Sequence, residues 1–212
     1  MRFINKKIVT IALITSFFAG LANAELLGLP NGRSANPGNL TDLSVELGFV
    51  TGDFGTDDYQ NIALRVNYRV APEVVVFGNV GTSEFGALDG TPYGLGILYH
   101  LSNQRISQIL DIAGKFSYHT GDYSFRGVDA DLSGISFEVL FSGIEPLSDN
   151  GLSWYGNFGF HRLTIDLGPS DSSNEIGLGG GLLLPVGPGE AYVGLDLIDE
   201  LTFGVGFRYF VQ

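Results

Sequence analysis

From residue 43 onward, apolar residues recur at every second position in short runs separated by turn-forming residues. Leu43, Val45, Leu47 and Phe49 share one parity, with Ser44, Glu46 and Gly48 on the other. Ile62, Leu64, Val66, Tyr68 and Val70 alternate in the same way with Ala63, Arg65, Asn67 and Arg69. The pattern returns from Tyr93 to Leu101, Leu110 to Tyr118, Ile135 to Phe141, Leu152 to Phe160, Ile176 to Leu184, Ala191 to Leu197 and Leu201 to Val211. A period of two marks a strand with unlike faces. Between Val74 and Thr82 the phase is ambiguous, because Val75 and Phe77 compete with Val74 and Val76 for the apolar face. With that stretch included the pattern predicts ten strands, or eight if the segments near Ala191 and Leu201 form one bent hairpin outside the main wall.

The other face decides what kind of sheet this is. Glu46, Arg65, Arg69, Asp111, Lys115, Glu138, Asp196 and Arg208 all fall on it, and the apolar parity of these runs carries no charge. A water-soluble barrel needs an apolar interior and a polar exterior. Here the apolar face is continuous over about nine to eleven residues per strand, the length that crosses a bilayer at the usual tilt. The apolar face is therefore predicted to meet lipid and the charged face to line an interior. Backbone groups in hydrocarbon must pair among themselves, so strands of this kind must close. The predicted fold is all-β, an antiparallel transmembrane β-barrel. Tyr93 and Tyr118 fall near one end of their strands and Tyr68, Tyr99, Trp154 and Tyr209 near the other, as two interfacial aromatic girdles require.

The amino-terminal residues agree with export to such a membrane. Arg2, Lys6 and Lys7 precede an apolar run from Ile8 to Phe18 and the small-residue sequence Ala22-Asn23-Ala24. This is the pattern of a cleaved signal peptide over residues 1–24, and the run is shorter than the roughly 20 residues of a spanning helix. A Pro/Gly/Asn-rich stretch, 25–41, then reads as a periplasmic extension or a plug, before a barrel domain over 42–212. Cysteine is absent, so neither a disulfide nor an acylated cysteine is available. Cleavage would remove three of the 11 basic residues and none of the 23 acidic ones, leaving a net charge of −15. Nucleic acid, itself an anion, is excluded as a partner on that balance.

Connections after odd-numbered strands are expected at Gly52–Asp58, Ser83–Thr91, Gly121–Leu132, Asp166–Asn174 and Asp199–Glu200; they hold most of the acidic residues against a single basic one, Arg126. Those after even-numbered strands include the tight Ala71-Pro72-Glu73 and the turn from Pro185 to Glu190. Longer outer loops and short periplasmic turns are the rule for such barrels, so the odd end is expected outside and both termini in the periplasm. At the carboxyl terminus, Leu201, Phe203, Val205, Phe207 and Tyr209, followed by Phe210, Val211 and Gln212, resemble the terminal strand signal of bacterial outer-membrane barrels. The whole pattern is similar to the small porin-like and OmpA/OmpW-type barrels. That resemblance implies a cell outer-membrane location, recognition by the barrel-assembly machinery during insertion, and contact with outer-membrane lipids and lipopolysaccharide. It departs in ending on Gln212 rather than an aromatic residue.

Function is less legible than class. The eight inward charges are balanced in sign and read either as a selective pore lining or as a salt-bridged polar plug. His100, His119 and His161 invite an enzymatic reading, with Ser117 and His119 as the nearest pair. Lipid A deacylases place a His-x-Ser pair on the lipid-facing wall, whereas this chain has Ser-x-His on the inward parity, so no catalytic residue is assigned and no enzyme is expected. The acidic Gly52–Asp58 stretch lacks the spacing of a calcium loop, and no metal or cofactor is expected. The expected role is a narrow pore for small solutes or a structural barrel. The other reading is a surface interaction protein, adhesin-like or lipopolysaccharide-contacting, acting through its acidic loops.

Overall fold

The computed structural model describes residues 28–37, 41–54, 57–86, 88–101, 109–125, 128–166, 170–198 and 200–212. The expected signal peptide, Arg126 and Asp199 lie outside them. Ten strands form one sheet: β1 (Leu43–Phe54), β2 (Asp57–Ala71), β3 (Val74–Phe85), β4 (Leu88–His100), β5 (Leu110–Phe125), β6 (Val128–Gly143), β7 (Ser153–Asp166), β8 (Ser170–Val186), β9 (Gly189–Ile198) and β10 (Glu200–Val211). Each pairs antiparallel with its chain neighbour, and β1 pairs with β10 from Leu43↔Val211 to Gly52↔Thr202, closing the barrel. The segments near Ala191 and Leu201 are thus the ninth and tenth staves of the wall, which removes the eight-strand alternative.

The alternation sets the faces. Outward apolar side chains are bare, Leu95 at 62% exposure among them, while inward Arg208 is at 0%. The ambiguous stretch resolves with Val75 and Phe77 buried inside and Val80 exposed outside. At the even end, the two-residue turn Gly187-Pro188 joins β8 to β9, with Gly187 in the left-handed region at φ 56°. That conformation suits a residue without Cβ.

The odd end corrects the expectation of long loops. The hydrogen-bonded ladder continues through most of those stretches, to Phe54↔Asp57, Phe85↔Leu88, Phe125↔Val128 and Asp166↔Ser170, so one to three residues separate consecutive strands there. The longer connections, 101–109 and 144–152, lie at the even end. The stretches looked like loops because their period of two has the opposite sign. Outward positions become polar or acidic (Asp53, Asp58, Glu84, Asp89, Asp122, Asp131, Asp166), and outward Arg162 joins them. Inward positions turn apolar: Tyr123, Leu132 and Leu163 cluster with Leu88 and Ile165, and Val50, Tyr59 and Ala63 cluster with Leu29. Strand faces uncharged within the membrane-length band therefore do carry charge beyond it.

Candidate functional site

Residues Gly28–Pro37 run through the barrel lumen. Near the odd end, the carbonyl of Gly28 accepts from Asn61 Nδ2 at 3.1 Å. Further down, Arg65 donates to the carbonyls of Leu29 (2.6 Å) and Pro30 (3.2 Å), and Arg208 to that of Gly32 (2.5 Å). Asn31 bridges Lys115 and Glu138, accepting from Lys115 Nζ at 2.8 Å and donating to Glu138 Oε2 at 2.6 Å. Ala35 packs among Val75, Leu98, Ala113 and Leu140. At the even end Asn36 donates to Asp111 at 3.2 Å, and the Pro37 carbonyl accepts from Arg69 at 3.3 Å. Gly32 has φ 51°, and a Cβ there would meet the Tyr192 ring at 2.7 Å, so this position admits little but glycine.

Two carboxylates organise the lumen. Glu46, with no exposure, faces its register partners Arg65 on β2 and Arg208 on β10, each at 3.2 Å. Arg33 of the lumenal segment stands 3.7 Å away, and Tyr192 donates to the same carboxylate at 2.8 Å. Glu138 accepts from Lys115 (2.9 Å), Asn31, Asn157 (3.2 Å) and Ser136 (3.3 Å). Between the two groups the Phe77 ring lies 5.2, 5.5 and 5.8 Å from the cationic centres of Arg33, Arg65 and Lys115. Inward Phe77 thus offers its negative π-face to three cations. Desolvated charges persist where opposite charges and hydrogen bonds compensate them, and both carboxylates meet that condition.

Of the eight charges assigned to the lining, Glu46, Arg65, Asp111, Lys115, Glu138, Asp196 and Arg208 are buried. Asp196 accepts from Asn157 at 3.4 Å, and Asp111 meets His100 Nε2 at 3.1 Å. Arg69 sits at the even-end rim, paired at 2.9 Å with exposed Asp42, so it belongs to the mouth more than to the lumen. Sequence reasoning missed Arg33, Asn31, Phe77 and Tyr192. Arg33 left one signal, as the lone basic residue of the 25–41 stretch. Ser117 and His119 are buried on the inward face, where the Ser117 hydroxyl pairs with that of Ser136 at 2.5 Å. Among the described residues, no group of three His, Asp or Glu side chains is arranged to hold a metal ion.

No protein-family model and no curated protein sequence matches the chain. Solved structures do match in fold. The β domain of the Bordetella autotransporter BrkA aligns over 80% of this chain and 99% of its own, with a TM-score of 0.50 at 10% identity. The translocator domain of the autotransporter NalP from Neisseria meningitidis aligns over 97% and 98%, at TM-score 0.44 and 11% identity. The KdgM porin, solved in complex with disordered oligogalacturonate, aligns over 80% and 99%, at TM-score 0.47 and 12% identity.

The fold is that of an outer-membrane β-barrel. The exterior fits that location: a belt of outward side chains such as Leu64, Leu95, Phe137, Phe158 and Leu195 is solvent-bare on the isolated barrel, as only lipid would cover it. Tyr93 and Tyr118 stand exposed toward the odd end of the belt, and Tyr68, Tyr99 and Tyr209 toward the even end. Trp154, also toward the even end, packs edge-on against Phe141 at 6.4 Å. For a barrel in that membrane, the lumen is the only route across its wall, and Gly28–Pro37 occupies it.

Proposed function

We propose that this outer-membrane barrel is a narrow pore for small polar solutes, held closed by its own lumenal segment, and that it carries no catalytic activity. The observation that supports this reading is the burial of Gly28–Pro37 by hydrogen bonds to lining residues of β2, β5, β6 and β10 and by the Arg33–Glu46 ion pair to β1. Most of the contacts are polar, with Leu29 and Ala35 each set in a small apolar cluster of the lining, and the barrel closes β1 to β10 without the segment, so the strands keep their ladder when it leaves. We also propose that the odd end faces outward, because its hairpins project past the apolar belt and carry the outer carboxylates, while β1 begins and β10 ends at the opposite, periplasmic mouth.

Planar-bilayer recording tests the closed pore. The intact protein is expected to be silent or to open only briefly, whereas a deletion of residues 28–37 conducts continuously. Gly32→Val, which drives a side chain into the Tyr192 ring while leaving the segment in place, is expected to give intermittent openings. A folded deletion variant that stays silent would mean a structural barrel instead.

A further inference from the structure

Arg33 sits in a seat that the barrel lining provides. Its Nη2 donates to Asn67 Oδ1 and stands 3.7 Å from Glu46 Oε2, and its Cζ lies 5.2 Å from the centre of the Phe77 ring. Asn67 is oriented for this contact. Its Nδ2 donates to Ser44 Oγ at 3.3 Å and to Glu46 Oε2 at 3.5 Å, which turns its carbonyl oxygen toward the cation. The carbonyl just before Arg33, that of Gly32, accepts from Arg208 at 2.5 Å. A carboxylate, an amide oxygen, an aromatic face and an arginine donor thus meet one guanidinium and its neighbouring carbonyl. All four groups belong to strands, on β1, β2, β3 and β10, and stay in place when the segment leaves.

Charge gives a second and independent reason to read this seat as a binding site. The seven buried charges of the lining are four carboxylates and three cations, and Arg33 of the segment is the fourth cation. With the segment withdrawn, the lumen lacks one positive charge, and a charge held away from water without compensation is costly. A solute that takes the segment's place must therefore bring a cation. A guanidinium suits the seat better than an ammonium, because it is planar, more weakly hydrated and favours aromatic faces. The tethered group is not a perfect occupant, since Arg33 Nη1 is buried without a hydrogen-bond partner. A buried donor left unpaired costs free energy, so a guanidinium free to turn in the seat can compete with the one on the chain.

We propose that the Arg33 seat is the solute-binding site of the pore, and that its solutes are short arginine-containing peptides, recognised through the guanidinium and the carbonyl that precedes it. This rests on the closed-pore reading above, in which Gly28–Pro37 then serves as a resident copy of the solute. The rest of the segment is held as a peptide would be. Arg65 donates to the main-chain carbonyls of Leu29 and Pro30, and Arg208 to that of Gly32, contacts that any peptide backbone can make. Side-chain selection falls to two places. The amide of Asn31 bridges Lys115 and Glu138, and the guanidinium of Arg33 fills the seat. Only the second demands a charge, so the seat sets the class of solute.

The test is calorimetric titration of the full-length Arg33→Ala protein, whose seat is vacant, in detergent. Nα-acetyl-arginine amide is expected to bind one to one. Nα-acetyl-lysine amide should bind about tenfold more weakly for want of the planar cation, and ethylguanidinium about tenfold more weakly for want of the carbonyl. Phe77→Leu or Asn67→Ala, added to Arg33→Ala, should each weaken acetyl-arginine amide by about tenfold. The unmutated protein, with its seat filled, should bind it far less well. Each variant is scored when its heat-modifiable gel mobility shows a folded barrel, and if Arg33→Ala does not fold, the 28–37 deletion vacates the same seat. Absence of saturable binding, equal binding of the lysine compound, or indifference to Phe77→Leu and Asn67→Ala overturns the site. Equal binding of ethylguanidinium overturns the choice of peptides. Bilayer recording of the deletion variant separates this proposal from the pore itself. A barrel that binds acetyl-arginine amide but never conducts overturns the pore and leaves the binding site, whereas a conducting barrel whose current the compound does not interrupt overturns the site and leaves the pore.

Discussion

Replacing Glu46 with glutamine keeps the shape of the side chain and one carbonyl acceptor but removes the charge on which the lumen converges. Arg65 and Arg208 lose their 3.2 Å contacts with a carboxylate, Arg33 its 3.7 Å neighbour, and the Tyr192 hydroxyl the strong acceptor at 2.8 Å. Removing one partner of a buried ion pair costs about 3–5 kcal/mol, because the remaining charge stays desolvated. Two compensations pull the value toward the lower end of that range. Arg208 keeps Glu190 at 2.8 Å, and Arg65 keeps the carbonyls of Leu29 and Pro30. The expected loss is therefore about 3 kcal/mol. Urea unfolding in lipid vesicles, followed through Trp154, the only tryptophan in the chain, measures it directly. If repulsion among the three guanidiniums is the cause, adding Arg33→Met to Glu46→Gln should restore part of the loss, with a coupling of about 1 kcal/mol or more. A single-variant loss under about 1 kcal/mol, the size of one ordinary hydrogen bond, would refute the argument, and so would strict additivity of the pair.

Three further outcomes follow from the same geometry. Val139→Arg puts a charge on the outward face of β6 at mid-belt and should cost about 2–4 kcal/mol in the same unfolding assay, whereas Asp131→Arg on the same strand beyond the belt should cost almost nothing. In the deletion variant that conducts, Arg65→Gln should shift selectivity toward cations, since fixed charge at a constriction governs which ions enter; reversal potentials across a salt gradient read the change. In intact cells, cysteines replacing exposed Asp58 and Asp131 should react with a membrane-impermeant label, while one replacing Glu73 in the β2–β3 turn should stay protected.

Strand faces were legible in the sequence wherever one parity was consistently apolar, because lipid on one side and packed polar groups on the other leave no ambiguity of phase. Val74–Thr82 was unreadable for the complementary reason: Phe77 is apolar yet points inward, held there by three cations that a residue-by-residue pattern does not reveal. The inward charges Glu46, Arg65, Glu138 and Arg208 could be assigned to the lumen from parity alone, but not their convergence, which depends on cross-strand register. The lumenal path of Gly28–Pro37 left almost no trace, since Pro, Gly and Asn satisfy many environments; only the unexplained Arg33 pointed to an acceptor elsewhere. The odd-end hairpins read as loops in the sequence because their apolar residues change parity relative to the belt.

That change of parity ties each hairpin to a single height in the bilayer. A slide of one residue in pairing would turn every carboxylate of the tip inward and every lumenal charge out to lipid. A vertical sinking of the whole barrel by two residues, which preserves the pairing, would still bring the outer carboxylate rows beginning at Asp122 and Asp131 down to the hydrocarbon. The tips therefore act as a float line, set by polarity inversion and independent of any aromatic anchor. A thinner or thicker membrane must be accommodated at the opposite mouth, where β6 and β7 are joined by the longer connection 144–152.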